Sequence, residues 1–217
     1  ALGFWIGAGQ APPPGDRPLA PRPLPPGPVR IALLGTSLTD HALWPDRVTQ
    51  RLATCGITAF IDRHARPGAN SRWGRSVAAE LAQSAPDIIL IEFAINDADL
   101  HDGLSLSDSA DSHADILRQL RQPSPADPAI FLLTTNPVSG WARLLRPRLA
   151  AYQALYGRLA TQYQTGLVDG YGRWLATPGW ADQLLDHLHP APERESAILT
   201  PAITLAIGRL YGRDCPY

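Results

Sequence analysis

Val29-Arg30-Ile31-Ala32-Leu33-Leu34-Gly35-Thr36-Ser37-Leu38-Thr39-Asp40 decides how the rest of the chain is read. Its first six residues are almost all apolar and β-prone, the pattern of a short strand buried on both faces inside a parallel sheet. Gly35 stops the strand and a polar loop follows. A helix pattern comes next, with Pro45 where a first-turn proline is tolerated. In open α/β sheets ligands lie in the crevice outside the carboxyl ends of the strands, which puts Ser37 on the functional rim. Serine after a strand also serves as a plain cap or turn residue. The residues around Ser37 do not separate these roles.

Working outward, Leu43, Trp44, Val48, Leu52 and Ala53 keep a helical spacing, and Gly56 ends that helix. Residues 57–61 read as a second strand, 66–70 as a loop and 71–84 as a second helix. Residues 87–93 form a strongly apolar strand that runs into Ala94-Ile95-Asn96-Asp97. A polar loop at 105–112 leading to a helix through Ile116, Leu117 and Leu120, a strand at 129–134, a long helix at 147–163 and a short strand at 166–169 follow. Loops carrying Trp141, Trp174 and Trp180 lead to Asp186-His187-Leu188-His189-Pro190 and a last helix at 192–211. Strands alternating with helices predict a three-layer α/β/α sandwich around a mainly parallel, about five-stranded sheet.

Ahead of this domain, taken as residues 29–217, residues 1–28 read as an apolar then proline-rich arm. Proline fixes φ and removes donors, so 10–28 is expected to be extended, either a linker or a strap laid across the domain. The apolar opening Ala1–Gly9, followed by prolines in a chain without methionine, fits the remnant of a signal or anchor segment. Export to the periplasm or exterior, with a possible membrane tether upstream, is the expectation; an arm packed through Phe4 and Trp5 is the alternative.

The 19 basic and 20 acidic residues leave a net charge of −1 with no basic run, which speaks against a nucleic-acid partner. The two cysteines, Cys55 and Cys215, fit no zinc spacing. They fall after the first helix and after the last, where an oxidising compartment would let them pair; sequence does not fix the pairing.

Ser37, Gly68, Asn96, Asp186 and His189 all stand in loops at one rim. A serine nucleophile needs a base, and histidine is the usual one. The histidine needs a carboxylate to fix its tautomer. A tetrahedral oxyanion needs N–H donors aimed at it. On these residues the chain resembles the SGNH, or GDSL-type, hydrolases. Gly35-Thr36-Ser37-Leu38 resembles the first family block, Gly68 the second, Ala94-Ile95-Asn96-Asp97 the third and Asp186-His187-Leu188-His189-Pro190 the last. The resemblance implies a flavodoxin-like SGNH hydrolase fold with Ser37, Asp186 and His189 as catalytic residues. It also implies an oxyanion hole of the Ser37 N–H, the Gly68 N–H and the Asn96 amide. Thr36 stands where the family has aspartate and Ala94 where it has glycine. Neither change removes a reacting group, although the Ala94 methyl bears on pocket shape.

The implied activity is ester hydrolysis through an acyl-enzyme, on a small-molecule or polysaccharide ester, with short acyl groups on a carbohydrate favoured. Acyl transfer to a sugar hydroxyl and a non-catalytic accessory role in polysaccharide export are the alternatives. No cofactor is implied, and no metal: His187, His189 and Asp186 lack a further strong ligand. Glu92 is expected to be hydrogen-bonded near the rim, and Asp97 to be a turn or cap residue. His41, His64, His101 and His113 read as surface or loop residues. Trp44, Trp141, Trp174 and Trp180 read as core in preference to sugar-stacking platforms.

Overall fold

The structure, a computed structural model, describes residues 11–122 and 127–215. The readings made for Ala1–Gly9, including Phe4 and Trp5, lie outside the described residues. Five strands form one parallel sheet: β1 (Val29–Gly35), β2 (Ala59–Ala65), β3 (Ile88–Ile91), β4 (Ala129–Thr134) and β5 (Gly166–Asp169), in the order β2-β1-β3-β4-β5. Strand order reverses between β1 and β3, the switch point at which such sheets open a crevice. Ser37 follows one of these strands and Asn96 the other.

Side chains alternate across each strand, and both faces are covered. On one face Ala32, Leu34, Ile89, Ile91, Ile130 and Leu132 pack against α3 (Ser71–Gln83), α5 (Leu106–Leu120) and α7 (Leu149–Gln162). On the other, Ile31, Leu33, Ile88, Leu90, Phe131 and Leu133 meet α2 (Trp44–Thr54) and α9 (Pro192–Leu210). The remaining helices are short: α1 (Ser37–Asp40), α4 (Ala94–Asp97), α6 (Gly140–Leu145) and α8 (Gly170–Ala176). The first seven residues of α5, 106–112, also read as loop in the sequence, because their serines and aspartates carry no apolar period. Of the short helices, α6, α8 and a 3₁₀ turn at Trp180–Gln183 stand where the sequence reads as loop. Helices of one or two turns show too few residues for a 3.6-residue period to register. β2 runs four residues past its expected end, through Asp62-Arg63-His64. It is an edge strand paired only with β1, and edges carry charged side chains, which hide the apolar pattern.

The proline-rich segment 11–28 lies on the sheet edge as a strap. Arg17 exchanges backbone hydrogen bonds with Leu167 of β5, both 2.9 Å, and Asp16 pairs with Arg173 at 2.7 Å. Leu19 and Leu24 pack against the α2/α9 core.

Cys55 and Cys215 are joined in a disulfide with Cα atoms 5.3 Å apart. Because α2 and α9 lie side by side on one face, the residues that follow them meet. The bridge closes a separation of 160 residues, so it removes much chain entropy from the unfolded state. Cys55→Ser with Cys215→Ser is expected to lower unfolding free energy by about 2–4 kcal/mol. Calorimetry should then show a melting temperature lower by roughly 10 °C than that of the oxidised parent.

Candidate active site

β1 ends at Gly35 because nothing larger fits. A Cβ there would lie 2.3 Å from Glu92 Oε1 and 2.6 Å from Thr39 Oγ1. Thr36 caps the single turn of α1, its hydroxyl accepting from Leu38 N at 3.2 Å and donating to Glu92 Oε2 at 3.1 Å. Glu92 Oε1 also accepts from Thr36 N at 2.5 Å and from Thr39 Oγ1 at 2.8 Å. Glu92 is thus buried and hydrogen-bonded under the Ser37 turn. Burial pushes its carboxyl up to about 7, against the pull of Thr36 and Thr39. This explains Thr36: an aspartate in its place would set a second carboxylate against Glu92 in a dry site. From the other side, Arg63 of β2 donates to the carbonyls of Asp40 and Ala42 at 3.0 and 3.1 Å.

Ser37 Oγ lies 2.9 Å from His189 Nε2. His189 Nδ1 lies 2.8 Å from Asp186 Oδ2. Asp186 Oδ1 accepts from the backbone N–H groups of Leu188 and His189, at 3.1 and 2.7 Å. Partial burial alone would raise Asp186. The His189 and Leu188 donors and the adjacent imidazole outweigh it and hold the carboxyl below the usual carboxylate value. Asp186 therefore stays ionised, and its ring partner Nδ1 is set as the donor.

The segment bearing Asp186 and His189 is tied to the loop after β4. Asn136 donates to Leu188 O at 2.7 Å, Ser139 N donates to His187 O at 2.9 Å, and Ser139 Oγ meets His187 Nδ1 at 3.0 Å. His187 takes φ +67° inside this latch. Sequence reading gave Asn136 and Ser139 no role, since a clamp between two distant loops leaves no local pattern.

Asn96 and Asp97, at the end of α4, pin the loop that holds Gly68. Asn96 Nδ2 donates to Ala69 O at 2.8 Å, and Asp97 Oδ1 accepts from Ser71 N at 2.7 Å. Gly68 takes φ +74°, a left-handed conformation that favours glycine. Among the described residues neither the Ser37 N–H nor the Gly68 N–H donates to another protein group. The Asn96 amide keeps its second N–H beyond the bond to Ala69. The Ala94 methyl is buried in the α3/α5/α7 core, so it packs and does not narrow the site.

His113 differs from its expected place. It is fully buried on α5, with Nδ1 2.7 Å from Ser109 O and Nε2 2.9 Å from Tyr156 Oη. Burial lowers its pKa against the pull of Asp97. Tyr156 Oη in turn accepts from Phe93 N at 2.7 Å, so this set supports the turn after β3 from below. Trp44 and Trp174 are core, as expected; Trp141 is 53% exposed and Trp180 half-buried.

Beside Ser37 and His189 a cavity of about 260 Å³ is lined by Leu38, Ala42, Leu185, Pro190 and Pro192, with His41 and Glu195. Glu195 is buried, Oε1 has no partner among the described residues, and burial with the nearby Glu92 pushes its carboxyl to about 8. No group of three or more His, Cys, Asp or Glu among the described residues is placed to hold a metal ion. Nor is any helix among them long and apolar enough to cross a membrane.

A family model described as GDSL-like lipase/acylhydrolase matches residues 33–193. The chain belongs to that family. It is accordingly a carboxylic ester hydrolase. Solved structures agree on the fold. A lipase/acylhydrolase from Enterococcus faecalis is 19% identical with a TM-score of 0.71, over 87% of this chain and 99% of its own. A carbohydrate acetylesterase family member from Sinorhizobium meliloti is 17% identical with a TM-score of 0.68, over 85% and 99%. An acetyl xylan esterase from Geobacillus stearothermophilus is 19% identical with a TM-score of 0.67, over 83% and 94%. No curated protein sequence matches the chain.

Proposed function

We propose that this GDSL-family hydrolase is an exported serine esterase that removes short acyl groups, acetyl foremost, from a carbohydrate. The observation that carries the reading is the continuous series Ser37 Oγ–His189 Nε2–Asp186 at 2.9 and 2.8 Å, opening on an apolar cavity. His189 takes the Ser37 proton as Oγ attacks the ester carbonyl. The tetrahedral oxyanion is met by the Ser37 and Gly68 N–H groups and the Asn96 amide. His189 then returns the proton to the departing alcohol, leaving an acyl group on Ser37. Water, deprotonated by His189, attacks that acyl group and releases the acid.

Three observations support the finer parts of this reading. A 260 Å³ cavity walled by leucine, alanine and proline suits a short acyl chain. Two structural neighbours are described as a carbohydrate acetylesterase family member and an acetyl xylan esterase. The Cys55–Cys215 disulfide accords with an oxidising compartment and hence with export.

The test is covalent labelling together with a chain-length series. Diisopropyl fluorophosphate is expected to add one phosphoryl group to the Ser37 peptide while ester hydrolysis falls in proportion. Hydrolysis of p-nitrophenyl esters is expected to decline from acetate through butyrate to octanoate. A label elsewhere would remove Ser37 as nucleophile, and an octanoate preference would remove the short-acyl reading. Inertness toward every ester in a folded protein would favour transfer to a sugar or a binding role.

A further inference from the structure

A second cavity, of about 510 Å³, opens among the loops and short helices that follow β4 and β5. It shares no lining residue with the cavity beside Ser37. Its volume lies in the range of about 300–1,000 Å³ usual for small-ligand sites. Val138 and Leu175 give it an apolar wall, Trp180 an aromatic one, and Tyr171 a nine-tenths-buried phenol.

Two arginines line it. Arg146 is already matched: its Nε donates to Ile95 O at 2.8 Å and its guanidinium pairs with Asp99 at 2.7 Å. Arg143 is exposed on α6, and its charge offsets part of the burial that raises the Tyr171 phenol. No carboxylate is among the lining residues. The cavity therefore carries a net positive charge beside a flat aromatic face.

We propose that this cavity is a subsite for an acidic sugar unit, a pyranose whose ring stacks on Trp180 and whose carboxylate pairs with Arg143. Trp180 presents an apolar plane to the ring's C–H face, with an indole N–H at its edge. Arg143 offers a fork of donors that matches a carboxylate in charge and in spacing. A neutral ligand would leave that cation unused, and a long acyl chain would find the arginine and the phenol in its way.

The subsite also adjoins the catalytic loop. Lining residues Pro137 and Val138 stand between Asn136, which holds Leu188 O, and Ser139, which meets His187. A polysaccharide with one acidic unit in this cavity runs past the loop that carries Asp186 and His189. In the proposal, the ester that Ser37 attacks is carried by another unit of the same strand. The inference rests on the esterase reading and deepens it: the substrate is an acylated acidic polysaccharide.

The experiment is calorimetric titration of the full chain bearing Ser37→Ala, so that nothing turns over, with trigalacturonic acid and with neutral xylotriose. The acidic trimer is expected to bind about tenfold more tightly than the neutral one, with that margin shrinking as salt rises. Adding Arg143→Gln should abolish the margin, and adding Trp180→Ala should weaken both sugars. Equal binding of the two trimers, or a margin untouched by Arg143→Gln, overturns the proposal. Hydrolysis of p-nitrophenyl acetate by the unaltered chain is a separate measurement. It reports on the esterase reading alone, so the two can fail independently.

Discussion

Ser37→Ala is expected to lower kcat for p-nitrophenyl acetate by about 10⁴–10⁶-fold, and Asp186→Asn by about 10⁴-fold, with circular dichroism unchanged in both. On the proposed mechanism alanine removes the only atom that bonds the acyl group, and what remains is the assistance of the proposed oxyanion donors. The asparagine effect is subtler and tests the electrostatics. Asp186 uses both oxygens, Oδ1 on the N–H groups of Leu188 and His189 and Oδ2 on His189 Nδ1. An asparagine that keeps its oxygen on the backbone donors turns its NH₂ toward Nδ1. The imidazole must then carry its proton on Nε2, and Nε2 can no longer take the Ser37 proton. The ring stays in place with the wrong tautomer. If Asp186→Asn retained more than a tenth of the parent's kcat, the carboxylate would not be fixing the tautomer. His189 would then be acting without Asp186.

How far the sequence reaches is best seen at particular positions. β3 and β4 are legible because buried parallel strands are unbroken apolar runs, and β1 because only Arg30 interrupts its run. The rim positions of Ser37 and Asn96 follow from the ends of β1 and β3, whereas Asp186 and His189 lie well past the end of β5 and are marked only by the family resemblance of Asp186-His187-Leu188-His189-Pro190. What stayed hidden depends on the third dimension. His113 sits on α5 with no local mark of burial, and its partner Tyr156 is 43 residues away. Asn136 reaches Leu188 across 52 residues and Arg63 reaches Asp40 across 23. Long-range hydrogen bonds leave no periodicity, so a buried polar residue shows its residue type and nothing of its partner. Thr36 is the informative case. Its departure from the family's aspartate is a puzzle in sequence and becomes intelligible once Glu92 is seen beneath it.

Glu92→Leu is expected to cost about 3 kcal/mol of stability at pH 5.5 and to lower kcat by about 10²-fold. The carboxyl satisfies Thr36 N, Thr36 Oγ1 and Thr39 Oγ1 in a site closed by Gly35. Leucine fills the space but leaves the Thr36 N–H buried and unpaired, and the turn that aims Ser37 Oγ at His189 must shift. The stability loss should depend on pH, with a sign set by the raised pKa. Folded Glu92 holds its proton up to about pH 7, whereas the unfolded side chain releases it near 4.5. Between these values the folded state binds more protons than the unfolded one, so the parent loses stability as pH rises through that window. Leucine has nothing to ionise, so urea midpoints of parent and variant should lie closer together at pH 8 than at pH 5.5. Glu195, raised to about 8, adds a second slope of the same sign between 4.5 and 8. In Glu92→Leu that slope should survive in weaker form, because Glu92 is one of the charges that raises Glu195. Adding Glu195→Gln should remove what is left. A parent whose stability is level from pH 5 to 8 would mean that neither carboxyl carries its proton to neutrality. The Ser37 turn would then stand on a buried carboxylate ion, not on a neutral acid.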